Sequence, residues 1–443
     1  MSQRQINITE QAAIREPPVD LSPLVSLLST AKPVKMPAEF ISATFANAST
    51  ELNPIPGSKI DLDFLTRYAR TLDDYEYNYT LVPYGSSFYD PFTVGATIAS
   101  VTKKLKVVIA LRPNTMYPTV AAKQLSTLDQ LSNGRVVVHF IAGGNDAEQA
   151  REGDFLDKEG RYEREEEYIK ILRRAWSSSE PFDWEGKYYT FKDFRNLVLP
   201  TNGTIPVSVG GSSDSAYRIG GSLADIFGLW GEPLKETKEQ IDRIYGEAEK
   251  AGRTHRPKIW VTFRPITAET EDLAWAKAHR TLDALNRNKE NGLSIRGKQP
   301  VPLGGVTPQN VGSQRLLDIA KRGDVQDRAL WYPTVVATNA GGASTALVGS
   351  YETVAESILD YVDLGCELIS IRGYDNLNDA IDYGRYILPR VREGIREREI
   401  AAKAKTTNAT ETNGTNGTKD AVVPVVAEVA PPAEVVPVPV AVA

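Results

Sequence analysis

The chain has 443 residues, 41% of them hydrophobic, enough for a large buried core. Fifty-one Lys and Arg against 57 Asp and Glu give a net charge of −6, which leaves no basic footprint for nucleic acid. One cysteine (Cys366) and three histidines (His139, His255, His279) exclude an intramolecular disulfide framework and a cysteine-based zinc site, and argue against a metal mechanism.

No run of eighteen apolar residues is present, and Met1–Glu39 lacks the charged-then-apolar order of a secretion leader. The expectation is a cytoplasmic protein with no membrane segment. Residues 1–37, polar with scattered prolines, read as an N-terminal arm. From 38 to 395 strand-like and helix-like segments alternate. The strand candidates are Phe40–Phe45, Tyr79–Pro83, Leu105–Arg112, Arg135–Ala142, Ile205–Gly210, Asp225–Trp230, Lys258–Arg264 and Glu367–Arg372. Eight strands, most followed by a helical pattern, favour an α/β fold: a closed TIM (β/α)8 barrel with insertions, over an open doubly wound sheet. About residues 285–340 lie before the eighth strand, rich in Asn, Arg, Gly and Gln, and are too long for an ordinary connection. They read as a lid insertion. Residues 396–443 read as a disordered low-complexity tail, in which TTNATETNGTNGT gives way to a Val/Pro/Ala run without an aromatic residue.

The most informative stretch is Ser126–Trp176. Ser126–Ser132 is helical in pattern, and Asn133-Gly134 is the pair expected where a helix ends in a left-handed residue. Arg135–Ala142 is a β-branched run of strand length. Gly143-Gly144 opens a polar loop, and Arg161-Tyr162 heads an acidic helix, Glu163–Trp176. A strand ending in glycines, then a loop and a helix, is where α/β barrels place ligands.

Gly210-Gly211-Ser212-Ser213-Asp214 follows another strand and opens a helix, a pattern that serves either as a plain N-cap or as a phosphate cradle. Arg161 and Tyr162 offer a guanidinium and a phenol at a helix start, although such an arginine also serves surface ion pairs. Gly143 and Gly144 allow either close approach of a ring or a simple turn. Trp230, closing LWGEP, faces either the core or the barrel mouth. Arg112, at the end of the third strand, suits an anion, a helix cap or an ion pair. Arg264, at the inward end of the seventh strand, is costly unless paired, so an anionic substrate or phosphate is a candidate partner.

Six strings carry a family resemblance, in order and at similar spacing: ALRPNTMYPTVAAKQLSTLDQLSNGR (Ala110–Arg135), FLDKEGRYE (Phe155–Glu163), GGSSDSA (Gly210–Ala216), LWGEP (Leu229–Pro233), GGASTALVG (Gly341–Gly349) and the run Leu364–Pro389. Together they resemble the bacterial luciferase-like flavin monooxygenases, specifically the alkanesulfonate monooxygenase-like branch, over about residues 38 to 395. The resemblance implies a two-component enzyme in which a separate flavin reductase supplies reduced FMN. With O2 it would oxygenate a small organic substrate, with sulfonates and sulfones, cleaved at carbon–sulfur, as candidates. It also implies a homo-oligomer. By resemblance, Ser212 and Ser213, with Gly211, Arg161 and Tyr162, hold the FMN phosphate, and Gly143 and Gly144 admit its ring. Trp230 and Tyr374 stand by the flavin, with Arg264 as a catalytic residue neutralising an anion. Arg112 and Phe88 fall on the substrate side, where the arginine that closes over substrate corresponds to Arg322 or Arg328.

The chain departs from the sulfonate-cleaving members. They have a histidine where Arg264 stands, an arginine at Thr262 and a cysteine at Phe88, and their histidine near the first strand has no counterpart in FISATFANAS. The flavin side is retained and the substrate side altered. Two alternatives therefore stay open: a deazaflavin-dependent oxidoreductase of the same barrel, and a flavin-binding protein without activity.

Overall fold

The computed structural model describes residues 38–55, 57, 59–293, 307–342 and 344–412, with side chains as far as residue 402. The arm expected over 1–37 and the chain beyond 412 lie outside these residues. The chain divides into two units, 1–395 and 396–443.

The first unit is built on β1 (Glu39–Ala43), β2 (Tyr79–Val82), β3 (Lys106–Leu111) and β4 (Val136–Phe140). An antiparallel hairpin, β5 (Phe182–Glu185) and β6 (Thr190–Phe194), precedes β7 (Val207–Gly210), β8 (Ile226–Trp230) and β9 (Lys258–Ala268). Three short strands follow, β10 (Val325–Gln326), β11 (Leu330–Trp331) and β12 (Ala346–Ser350), and then β13 (Cys366–Ile371). Strands β13-β1-β2-β3-β4-β7-β8-β9 pair in parallel in that order, and pairing of β9 with β13 closes an eight-stranded barrel. The expected TIM barrel is the fold.

Alternation along the strands sorts side chains into two cores. Ile41, Tyr79, Val108, Val137, Ile226, Trp260 and Leu368 fill the barrel interior. The residues between them, such as Phe40, Val107, Val138, Phe227 and Ile369, pack outward into the layer under the helices. Those helices are α1 (Leu62–Asp74), α2 (Pro91–Val101), α3 (Pro118–Leu131), the short α4 (Asp146–Ala150), α5 (Lys158–Ser177), α6 (Asp214–Leu223), α7 (Leu234–Lys250) and α8 (Glu271–Glu290). After them come α9 (Val311–Ala320), α10 (Pro333–Ala337), α11 (Tyr351–Leu364), α12 (Asn376–Asp382), a π turn at Tyr383–Ile387, and α13 (Leu388–Thr412). Carboxylate and hydroxyl caps start six of them: Asp61, Asp90, Asp157, Ser213, Thr270 and Ser350 each accept a backbone N–H of the first turn.

Three elements differ from the sequence expectation. Helix α5 begins at Lys158, because Asp157 Oδ1 accepts Gly160 N–H at 2.8 Å, so Arg161 and Tyr162 sit one turn inside it. Strand β9 does not stop at Arg264. Its second half leaves the barrel and pairs in parallel with β12, which continues through β11 to β10 as a side sheet. The stretch expected as a lid holds α9, α10 and two of these strands, with Leu316, Leu330, Tyr332 and Val335 fully buried; residues 294–306 within it lie outside the described set.

In the second unit, residues 396–412 are helical where the sequence predicts disorder from 396. Arg, Glu, Ala and Lys dominate Arg396–Lys405, and all are strong helix formers. Among the described residues no helix is long and apolar enough to cross a membrane.

Candidate active site at the barrel mouth

Above the inner apolar layer, the inward positions change character. They are Ala43, Leu81, Ala110, His139, Gly210, Gly228, Trp230, Thr262 and Ser370, with Arg112, Arg264 and Arg372 at or just past the strand ends. Most are only half-buried, although they face the inside of a closed barrel. The carboxyl ends of the strands therefore enclose an open mouth, the place where this architecture binds ligands.

One side of the mouth is formed by β4, β7 and β8. Gly211 has φ +140°, and a Cβ there would lie 2.9 Å from Ala216 Cβ and 3.3 Å from Tyr162 Oη, so only glycine brings the backbone into this turn. Ser213 caps α6 through Ala216 N–H (3.3 Å) and hydrogen-bonds the Tyr162 phenol, whose pKa burial pushes up to about 12. Ser212 Oγ donates to Gln240 Oε1 (3.3 Å), which also accepts from Tyr217 Oη (2.9 Å). The buried Gln240 Nε2 has no partner among the described residues. Gly143 has φ +90°, and a Cβ there would press to 2.2 Å from the fully buried Gln149 amide.

Arg161, 3% exposed, donates to Leu156 O at 2.7 Å and pairs with Asp146 at 2.9 Å, leaving its Nε without a partner. Asp146 also holds the insertion: its N–H donates to Gln309 Oε1 (2.9 Å) and its carboxylate accepts from Gln309 Nε2 (3.3 Å). The next residues of the insertion close over the same side. Asn310 packs on Gly144, and Gly312 lies against the Trp230 ring and Ser212. Arg315 then binds the buried Glu232 of the loop after β8, with Nη2–Oε2 at 2.5 Å.

The other side, from β1, β3, β9 and β13, is charged and internally paired. Arg112 is held by Glu148 (2.8 Å) and Glu152 (3.1 Å). Arg264, 2% exposed, binds Glu51 from the loop after β1, donates to Gly373 O (2.9 Å), and lies 3.5 Å above the centre of the Tyr374 ring. The anion expected for Arg264 thus has an internal occupant. Glu51 also takes Arg372 at 3.3 Å. Burial alone would raise the Glu51 pKa, but the two guanidiniums pull it down to about 2. For Tyr374, burial dominates and holds the phenol above its ordinary value.

The residues named from sequence therefore fall into three groups. Gly143, Gly144, Arg161, Tyr162, Gly211, Ser212, Ser213 and Trp230 come together on the β4–β7–β8 side; Arg112, Arg264 and Tyr374 line the other. Phe88 is half-buried under Gly85 and against Tyr89 (5.9 Å between rings). Arg322 and Arg328 lie in turns and are paired with Glu236 of α7 and Asp360 of α11, at 54% and 46% exposure. The arginine that ties the insertion to a barrel-strand loop is Arg315. Sequence reading also missed Glu51, Gln149, Gln240 and Arg372, whose only signal is contact across the fold. It passed over His139 as one residue of a strand. Among the described residues no group of His, Cys, Asp or Glu is arranged to hold a metal.

The sequence profile described as "Luciferase-like monooxygenase" matches residues 39–368. Among solved structures, the chain is similar to a riboflavin lyase bound to modified FMN and riboflavin, at 20% identity and TM-score 0.65, over 81% of this chain and 92% of that one. It is also similar to the EDTA monooxygenase of Chelativorans sp. BNC1, at 18% and 0.64, over 81% and 94%. A coenzyme F420 dependent tetrahydromethanopterin reductase from Methanopyrus kandleri matches at 16% and 0.58, over 80% and 99%.

Proposed function

The chain belongs to the luciferase-like monooxygenase family, and we propose that within it this protein is a two-component monooxygenase using reduced FMN and O2. A separate reductase supplies the flavin, and the substrate is a small organic molecule, with sulfonates and sulfones as the first candidates.

The observation that supports a phosphate-bearing flavin is the turn at Gly211–Ser213. Its backbone admits no side chain at Gly211, two hydroxyls stand at the start of the ten-residue α6, and the Tyr162 phenol closes the third side. Hydroxyl, phenol and helix-end N–H groups are the donor set a phosphate needs. Ser212, Ser213 and Tyr162 would hold the phosphate, with Arg161 supplying charge. Bound there, reduced flavin supplies electrons to oxygen. The chain's own part would be to orient the flavin and limit water at the mouth, where Asn310 packs on Gly144 and Gly312 lies against Ser212 and the Trp230 ring.

The test is an anaerobic titration of the full chain with reduced FMN, oxidised FMN and a reduced deazaflavin, followed by mixing with oxygen. Preference for reduced FMN with oxygen consumption coupled to an oxygenated product supports the proposal. Tight deazaflavin binding would move the protein to hydride-transfer enzymes of the same barrel. FMN binding without oxygen chemistry would leave a binding protein.

A further inference from the structure

His139 is placed to touch whatever binds at the mouth. Along β4, Val136, Val138 and Phe140 pack outward, while Val137 and His139 face the barrel interior. In register with His139 on β7 is Ser208; one step further up, Gly210 pairs with Gly228 of β8, and Gly228 with Trp260 of β9. Two glycines at adjacent inward positions leave a gap in the wall. Glycine inside a strand forfeits packing and marks a place where another group approaches the backbone closely.

The imidazole borders this gap. A Cβ on Gly210 would lie 3.3 Å from His139 Cε1 and 3.7 Å from Nε2, and one on Gly228 would lie 3.7 Å from Cε1. The ring leans on Trp260, with centroids 5.2 Å apart and planes at 55°. Trp260 Nε1 is buried with no partner among the described residues. His139 itself stays only half-buried, so its open edge faces the mouth. Nδ1 is committed to Ser208 Oγ at 2.9 Å. Nε2 is the ring atom left for a ligand.

Resting on the reading of the mouth as a flavin site, we propose that His139 contacts the bound flavin through Nε2 and accepts a hydrogen bond from it, in the tautomer that Ser208 fixes. Nδ1–H donates to Ser208 Oγ, and the Nε2 lone pair accepts an N–H or O–H of the ligand, which keeps its proton. The side chains and backbone against the ring (Ser208, Gly210, Gly228 and Trp260) carry no charge. Burial alone pushes its pKa down to about 4, so the base is free at neutral pH.

Three histidines in the chain make the test direct. Ring nitrogens are followed by NMR on the full chain labelled with 15N-histidine, while oxidised FMN is added and its binding is read from flavin fluorescence. The signal lost in His139→Gln, or in His139→Asn should the first variant fail to fold, is assigned to His139. The expected result is a fixed Nδ1–H tautomer in the free protein, lost in Ser208→Ala, and a shift of the Nε2 signal at FMN saturation while His255 and His279 stay put. Wild-type FMN affinity should also weaken as pH falls through about 4, where Nε2 gains a proton and can no longer accept, a limb absent from His139→Gln. Saturation by FMN with an unmoved His139 signal and an unchanged acid limb overturns the proposal and leaves the flavin reading standing. Absence of any FMN binding overturns both.

Discussion

On the β4–β7–β8 side of the mouth the polar groups are mostly hydroxyls, amides and an imidazole, with the buried Arg161, and several of them have atoms that lack a partner. On the β3–β9–β13 side they are arginines, each already held by a carboxylate. The two sides differ in what binding would cost. A ligand on the first side can take unused donors, such as those of Arg161 and Gln240. The second also has unpartnered atoms, on Arg112, Arg264 and Tyr374, but an anion that takes its guanidiniums must displace Glu51 from two of them, or share them. The same contrast exists within one residue type. Glu51, between two arginines, has a pKa near 2; Glu165, fully buried on α5 with both oxygens unpartnered, has one pushed by burial up to about 8.

The largest effect should come from breaking the paired side. Glu51→Gln leaves Arg264 and Arg372 adjacent and uncompensated, which should cost about 3–5 kcal/mol of stability by urea unfolding at pH 7. The native pKa lies below the ordinary one, so this stabilisation is complete above pH 4.5 and lost as pH falls toward 2. Arg264→Ala should cost a similar amount, and the double variant less than the sum, since the two residues share one interaction. If Arg264→Ala instead folds normally and only raises KM for an anionic substrate, the triad is a binding site in waiting and the comparison fails.

Next in size is the flavin side. Tyr162→Phe combined with Ser212→Ala should weaken FMN binding by about 2–4 kcal/mol if both donate charge-assisted hydrogen bonds to phosphate. Riboflavin, which lacks the phosphate, should lose far less. Equal losses for the two ligands would take both residues off the phosphate.

Glu165 sharpens the contrast by its sign. Its native pKa is raised, so stability is full below pH 4.5 and falls as pH rises toward 8, by at most about 1.4 kcal/mol per pH unit. Glu165→Gln should therefore gain most over the wild type at pH 8 and least at pH 5. Parallel stability curves from pH 5 to 8 would mean that Glu165 has a partner or a water not evident from its surroundings.

The barrel was legible because eight β-branched or apolar runs are spaced by helical patterns, and the tight turn before α6 because Gly-Gly-Ser-Ser is contiguous. Elements were hidden where a local signal misled. Pro265 after Arg264 reads as a strand end, yet β9 continues through it, pairing Pro265 with Leu347 where the strand leaves the barrel. The hairpin β5–β6 carries only four and five residues, and its aromatics Phe182, Phe191 and Phe194 become a cluster only once the turn is formed. Glu51 lies 213 residues from Arg264, and nothing local announces the pair. His139 looks like a strand residue until glycines from two other strands open the wall beside it.

The smallest effect concerns the buried arginine on the open side. Arg161 is buried, but its partner Asp146 is 65% exposed, and the same Asp146 ties down Gln309 of the insertion. Exposed carboxylates contribute little, so Asp146→Asn should change stability by about 1 kcal/mol or less. Its effect on binding should nonetheless be selective. With the carboxylate gone, Arg161 keeps its charge and lacks an anion, so an incoming phosphate no longer competes with Asp146. FMN should bind several-fold tighter and riboflavin about as before, with titrations at low and high salt showing the gain shrink as charge is screened. A matching gain for riboflavin would mean that Asp146 acts through the insertion's closure rather than through Arg161. No gain for either would show that Arg161 serves the helix and not the ligand, and would leave the open side of the mouth held by hydroxyls alone.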